Sequence, residues 1–283
     1  MSNITVDGVD LFYRSAGSES SPVILLLHGF PSSSHQFRNL ITHLAPSYRV
    51  IAPDLPGFGF TVVPEDRKYK YTFASLATTI GAFVDALKLT KFAIYIFDYG
   101  APTGLRLALE RAEAITAIIS QNGNAYDEGL GEFWNPIRAL WASKSSEDRE
   151  VLRNSILTPE ATKWQYHNGA PIPDSIPPET YHLDQALMER PGNKEIQLDF
   201  FEDYGSNLPL YPKFQEYFRT SNVPVLAAWG KNDEIFVSPG AEAFKRDVKK
   251  LEVHLIDAPH FALETNEKFF AEMIIGFLQK HGI

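Results

Sequence analysis

The chain contains no cysteine. Disulfide bonds and thiolate metal ligands are therefore excluded, although that absence does not fix the compartment. Long apolar stretches are missing as well. Runs such as Val23 to Leu27 have the length of a strand and fall far short of the ~18 residues that a membrane helix needs. The first residues, Met1 to Asp7, show neither the basic region nor the apolar core of a signal peptide, so a cytoplasmic location is the expectation. Basic charge is scarce: 26 Lys and Arg face 35 Asp and Glu, a formal net charge of −9, which speaks against non-specific nucleic-acid binding. Apolar side chains are abundant, at 44% with 13% aromatic. Over 283 residues that is enough to fill one large α/β domain, or a core carrying an inserted subdomain, and it argues against disorder.

Strand-like and helix-like segments alternate along most of the chain. Residues 10–14, 23–27 and 48–53 read as strands, with helical spacing over 36–44 and a helix capped by Thr72 running through Leu87. Strand 92–97, helix 102–111 and strand 115–120 follow, and after a long interval come strand 223–229, helix 239–248, strand 251–256 and helix 266–280. Such alternation implies a mostly parallel sheet flanked by helices. Between about Asn124 and Thr220 the rhythm breaks into helical fragments rich in Trp, Tyr and Pro, with no strand-like run. The expected organisation is a core of residues 1–123 and 219–283, interrupted by a helical cap at 124–218.

The segment Phe92 to Phe97 ends at Asp98, followed by Tyr99-Gly100-Ala101-Pro102-Thr103-Gly104 and an amphipathic stretch. A strand, a sharp turn and a helix in that order form the elbow that exposes the serine of G-x-S-x-G hydrolases above the carboxyl ends of a sheet. Here a carboxylate stands at the tip, which makes a serine esterase the least fitting function. A carboxylate can attack saturated carbon and form an alkyl ester that water then hydrolyses. That second step requires a base with an orienting acid. His260, just past strand 251–256, and Asp233, just past strand 223–229, lie at carboxyl ends of the same sheet, in the chain order nucleophile, acid, histidine. Paired N–H donors for an oxyanion are expected from Tyr99 and from Phe30 in His28-Gly29-Phe30-Pro31. Each residue has a plainer reading. Asp98 could cap the following helix, Asp233 could belong to an Asx turn, and His260 could be a satisfied semi-buried histidine. Three reactive residue types at three correct strand ends favour the catalytic reading. His28 reads as the structural support of its loop, and Asp54 as the fixing residue of its own turn.

At these motifs the chain resembles the α/β-hydrolases with an aspartate nucleophile, the epoxide hydrolases and haloalkane dehalogenases. The resemblance extends over nearly the whole chain and is strongest at 23–60, 92–112 and 223–264. It implies an α/β-hydrolase fold, a cofactor-free reaction and a small apolar substrate, and it leaves the oligomeric state open. Haloalkane dehalogenases usually cradle the halide with an Asn in His-Gly-Asn-Pro and a Trp beside the nucleophile. Those positions are Phe30 and Tyr99 here, and Arg106 lies too far along for the arginines of fluoroacetate dehalogenases. His-Gly-Phe-Pro is similar to epoxide hydrolases. In that family two cap tyrosines donate to the ring oxygen, a task suited to a phenol with a pKa near ~10. The resemblance points to Tyr166, in Trp164-Gln165-Tyr166-His167, and to Tyr204, in Tyr204-Gly205-Ser206-Asn207, where glycine replaces the arginine of the family's Tyr-Arg-x-Asn. Trp134, Trp141 and Trp164 are expected in the pocket wall; two indole N–H groups turned toward Asp98 would favour dehalogenation instead. Further departures are Ile96 at the first small position of the elbow, Phe60-Thr61 after Gly57-x-Gly59, and Pro259 before the histidine. The expected function is epoxide hydrolysis, with haloalkane dehalogenation as the alternative and a non-catalytic ligand receptor on the same fold as a third.

Overall fold

Three segments of this chain are apolar at nearly every position, and an apolar strand can be accommodated only where helices cover both faces of a sheet. They are β3 (Val23–Leu27), β5 (Phe92–Phe97) and β7 (Val225–Gly230) of the computed structural model, which describes all 283 residues. Around them the chain forms β1 (Ser2–Val6), β2 (Val9–Ala16), β4 (Arg49–Pro53), β6 (Ile115–Gln121) and β8 (Leu251–Ile256). The eight strands lie in the order β1-β2-β4-β3-β5-β6-β7-β8. The first two pairings, β1 with β2 and β2 with β4, are antiparallel, and every pairing from β4 to β8 is parallel. The carboxyl ends of β5, β6, β7 and β8 therefore share one edge. This is an α/β-hydrolase fold.

Helices of the core are α1 (Arg38–Leu44), α2 (Phe73–Ala86), α3 (Gly100–Glu110), α10 (Pro239–Ala243) and α11 (Glu267–Lys280); α4 (Asn135–Ser143), α5 (Ser146–Ser155), α6 (Pro159–His167), α7 (Pro178–Met188), α8 (Asn193–Tyr204) and α9 (Tyr211–Ser221) lie between β6 and β7. That interval contains no strand. Thr72 caps α2 as its position suggests, its hydroxyl accepting from Ser75 N–H at 3.1 Å. Strand β1 went unread in the sequence. Its signal is Asp7-Gly8, both with positive φ (51° and 72°), the pair that closes a two-residue hairpin. Helix α10 is shorter than the expected 239–248 and passes into a single 3₁₀ turn over Phe244–Arg246.

Because side chains alternate along a strand, the sheet separates two cores. Leu25, Leu27, Ile94 and Ile96 face one; Ile24, Leu26, Tyr95 and Phe97 face the other. The first continues into the helical segment through Trp134, Phe201 and Tyr204. No helix is long and apolar enough to cross a membrane.

Candidate active site

All six residues of β5 are buried, and the chain leaves the strand through Asp98 in a left-handed conformation (φ 49°) before α3 begins at Gly100. Aspartate enters this region at less cost than most residues with a side chain. The turn leaves no room beside it: a Cβ on Gly100 would lie 2.2 Å from the Leu27 carbonyl oxygen, and one on Gly29 would lie 2.2 Å from Asp98 Oδ1. With no side chain at Gly29, the loop after β3 passes directly over the carboxylate. The N–H groups of Phe30 and Tyr99 both donate to Asp98 Oδ1 at 2.6 Å. The carboxylate does not cap α3, which has no side-chain cap bond.

His260 and Asp233 reach the same place from the loops after β8 and β7. Imidazole Nδ1 lies 2.7 Å from Asp233 Oδ2, and Nε2 lies 3.8 Å from Asp98 Oδ2 with no hydrogen-bond partner of its own. An acceptor at Nδ1 fixes the tautomer, so the Nε2 lone pair faces Asp98 across a gap wider than a hydrogen bond. Asp233 also accepts from Ile235 N–H at 2.7 Å and from the Asn122 carboxamide at 2.7 Å, so each carboxylate oxygen has a donor. Asn122 and Gln121 were not singled out in the sequence, although both stand at the carboxyl end of β6 on the shared edge. Asn122 bridges Asp233 to Gly230 N–H (3.0 Å), and Gln121 donates to the His260 carbonyl at 3.0 Å.

Burial pushes the Asp98 carboxyl up, to about 6, against the opposing pull of His260 and the two N–H donors. For His260 burial works against the charged form, but the Asp233 carboxylate outweighs it, and the imidazole stands above its ordinary value. His28 is fully buried; its Nε2 accepts from Leu55 N–H at 2.9 Å and its Nδ1 donates to the Gly29 carbonyl at 3.1 Å, an engagement that fixes the Phe30 loop. Asp54 accepts from Ser34 and Phe60 N–H and so ties down the turn that follows it.

Above Asp98 lies a very small cavity, about 10 Å³ or room for a single water, walled by Phe30, Asp98, Tyr99, Phe133, Trp134, Gln165, Phe201 and Ile235. Half of the wall comes from the sheet loops and half from the helical segment. Of the expected indoles, Trp134 lines the cavity, but its N–H donates to the Ile235 carbonyl at 2.7 Å. Trp141 donates to the Phe201 carbonyl at 2.7 Å, and Trp164 stacks on Phe133 on the outer side. No pair of indole N–H groups faces Asp98.

The two expected tyrosines part company. Tyr166 packs flat on Phe261 (3.8 Å between ring centres) in the core below the site, and its hydroxyl donates to Asp184. Its place in the cavity wall is taken by its neighbour Gln165, because one residue along a helix is a turn of about 100°. Tyr204 belongs to the other core. Its ring packs against Trp134 (4.4 Å) and Tyr99 (5.9 Å), two walls of the cavity, and its hydroxyl is close enough to feel the Asp98 charge. That hydroxyl lies 3.5 Å from the Tyr211 hydroxyl, which accepts from Asn124. Tyr204 is not itself one of the eight wall residues. An arginine does reach the turn where Gly205 replaces the family's arginine: Arg106, from α3, donates to Asn207 at 2.9 Å.

A left-handed turn bearing a buried carboxylate, with an Asp and a His just past β7 and β8, thus stands at the carboxyl edge of the sheet. The chain belongs to the α/β-hydrolase family, whose fold model matches residues 22–162. It is 50% identical over 280 residues to an uncharacterised hydrolase of Saccharomyces cerevisiae, covering 97% of this chain and 95% of the relative. A haloalkane dehalogenase of Mycobacterium marinum is 36% identical over 114 residues, 40% of this chain and 38% of that protein. Among solved structures, an epoxide hydrolase from Vigna radiata superposes with a TM-score of 0.77 at 25% identity, over 99% of this chain and 97% of that one.

Proposed function

We propose that the protein opens epoxides to vicinal diols through an ester formed on Asp98. The observation that carries this reading is the division of labour within one carboxylate. Oδ1 is engaged by the N–H groups of Phe30 and Tyr99, while Oδ2 faces His260 and an apolar, aromatic cavity without a basic side chain in its wall. Oδ2 attacks one ring carbon, a C–O bond forms, and the ring C–O bond breaks. The departing oxygen takes the proton of Tyr204, whose burial holds its pKa well above the ordinary phenol value, so the proton is present at every working pH. If Tyr211 donates into the Tyr204 oxygen, the Tyr204 proton is left free for the substrate. The resulting phenolate is reprotonated from solvent.

In the second step His260, oriented by Asp233, removes a proton from water, and the hydroxide adds to the ester carbonyl. The oxygen that becomes negative is Oδ1, already between two donors in the resting protein, which is the preorganisation such a step requires. Collapse expels the diol oxygen, which takes the proton from His260, and Asp98 releases its own proton to balance the one Tyr204 consumed. In this reading the helical segment 124–218 is a cap that closes the site from water.

Epoxide is favoured over halide as the leaving group because the Trp134 and Trp141 indoles are committed to backbone carbonyls. A panel of apolar epoxides and 1-haloalkanes, assayed for diol and for free halide, tests the choice. Diol without halide is the expected result. Asp98→Ala should abolish it, and His260→Gln should accumulate protein heavier by one epoxide. Halide release without diol would assign the dehalogenase reaction, tight binding without turnover would assign a receptor, and undiminished diol from Asp98→Ala would remove the nucleophile.

A further inference from the structure

Gln165 is 97% buried on α6, and no hydrogen bond within the protein engages its carboxamide, which still reaches open space where the Gln36 amide is sealed away. An amide that faces open space with no partner in the protein keeps both its donor and its acceptor free for a ligand. It stands in the wall of the cavity above Asp98, and it also lines an outer groove with Phe133, Ile156, Ala161 and Trp164 and, at its polar side, Ser155, Thr158 and Glu160. Gln165, with Phe133, thus stands between the cavity over the carboxylate and the outer groove. Three other wall residues carry polar side-chain atoms. Asp98 is an acceptor, and the Trp134 N–H is spent on Ile235. The Tyr99 hydroxyl is sealed from open space among aromatic rings.

We propose that Gln165 is a catalytic residue that donates its carboxamide N–H to the epoxide oxygen as the ring opens. This rests on the epoxide reading above. A carboxamide does not surrender its proton at neutral pH, so Gln165 stabilises the developing alkoxide while Tyr204 supplies the proton, and the atom balance of the step is unchanged. The position also selects the substrate. With the oxygen held at Gln165 and the attacked carbon deeper, over Asp98, the remaining substituent has only the outer groove to occupy. The matching class is the terminal epoxide carrying a slim apolar or aryl tail.

The test separates the two chemical steps. Wild type, Gln165→Leu and the shape-preserving Gln165→Met are mixed with a terminal aryl epoxide, and ester formation and ester hydrolysis are followed by rapid quench and intact-protein mass. Loss of a single preorganised donor costs on the order of 10²-fold in such sites. Ester formation should slow by about that factor in both variants. Ester hydrolysis should be unchanged, because by then the oxygen is a hydroxyl and His260 is untouched. Gln165→Asn should recover part of the loss. Ester formation at the wild-type rate in either variant, or equal slowing of both steps, would overturn the proposal. If wild type forms no ester with any epoxide, the epoxide reading itself fails and this inference goes with it. Ester formed at full rate by the variants removes Gln165 alone.

Discussion

Asp98 is held in a left-handed backbone conformation, with its charge buried at 4% exposure, and both conditions oppose folding. What keeps it there is local. Two N–H groups meet one oxygen, and glycines stand where any side chain would collide with the carboxylate or with the Leu27 carbonyl. The same burial sets a pH dependence. A nucleophile must be ionised, and the Asp98 carboxyl lies at about 6, so its reactive form is lost as pH falls below that value. In the proposed mechanism His260 acts only in the hydrolysis of the ester, so its raised pKa bears on kcat and leaves the acid limb of kcat/KM to Asp98. A kcat/KM profile for an epoxide should therefore show an acid limb near pH 6, with no alkaline limb from Tyr204, whose proton is held well past 10. A profile flat down to pH 4 would contradict the environment assigned to Asp98. Asp98, Asp233 and His260 were readable from the sequence because each sits just past the end of a strand, where position follows from topology alone. Gln165 and Asn122 were not, since an amide carries no motif and its importance emerges only from what surrounds it.

Among the elements, α6 shows the limit of reading by pattern. The resemblance supplies a segment, Trp164 to His167, but not the rotation of the helix that bears it. A shift of one residue exchanges Tyr166 for Gln165 in the cavity wall. Helices α6, α7 and α9 were hard to delimit for another reason: Pro159, Pro178 and Pro212 suggest loops, yet each sits in a first turn, where no N–H is required. Tyr166 has a different task, joining α6 to α7 through Asp184. Burial raises the Asp184 carboxyl to about 7, against the opposing effect of the Tyr166 hydroxyl. A folded pKa above the unfolded value means that the native state prefers the proton. The associated stability is complete below the ordinary carboxyl range and is lost as pH rises toward 7. Asp184→Asn does not titrate. Its melting temperature relative to wild type should therefore climb by several degrees between pH 4 and pH 7 and level off above that. A difference that is constant with pH would show that the carboxyl is not desolvated as described.

At the scale of the whole molecule, one sheet brings together side chains far apart in sequence, from Phe30 to His260, because four of its parallel strands end along a common edge. That much follows from the alternation of strands and helices, and the core was legible for the same reason. The helical segment between β6 and β7 was legible only as an interruption. Its helices pack by tertiary contact with one another and with the loops of the sheet, and no period in the sequence records which face turns to the cavity. The cavity over Asp98 mixes residues of that segment with those of the sheet loops, so both parts shape it jointly. The central claim is that the substrate is bonded to Asp98 before water acts. One turnover of an epoxide with protein in excess, carried out in ¹⁸O water, followed by mass analysis of the peptide containing residue 98, tests it most directly. Heavy oxygen in the Asp98 carboxylate, with an unlabelled diol, is the predicted result. Heavy oxygen in the diol and none in the peptide would show that water attacks the epoxide itself, and the account would be wrong.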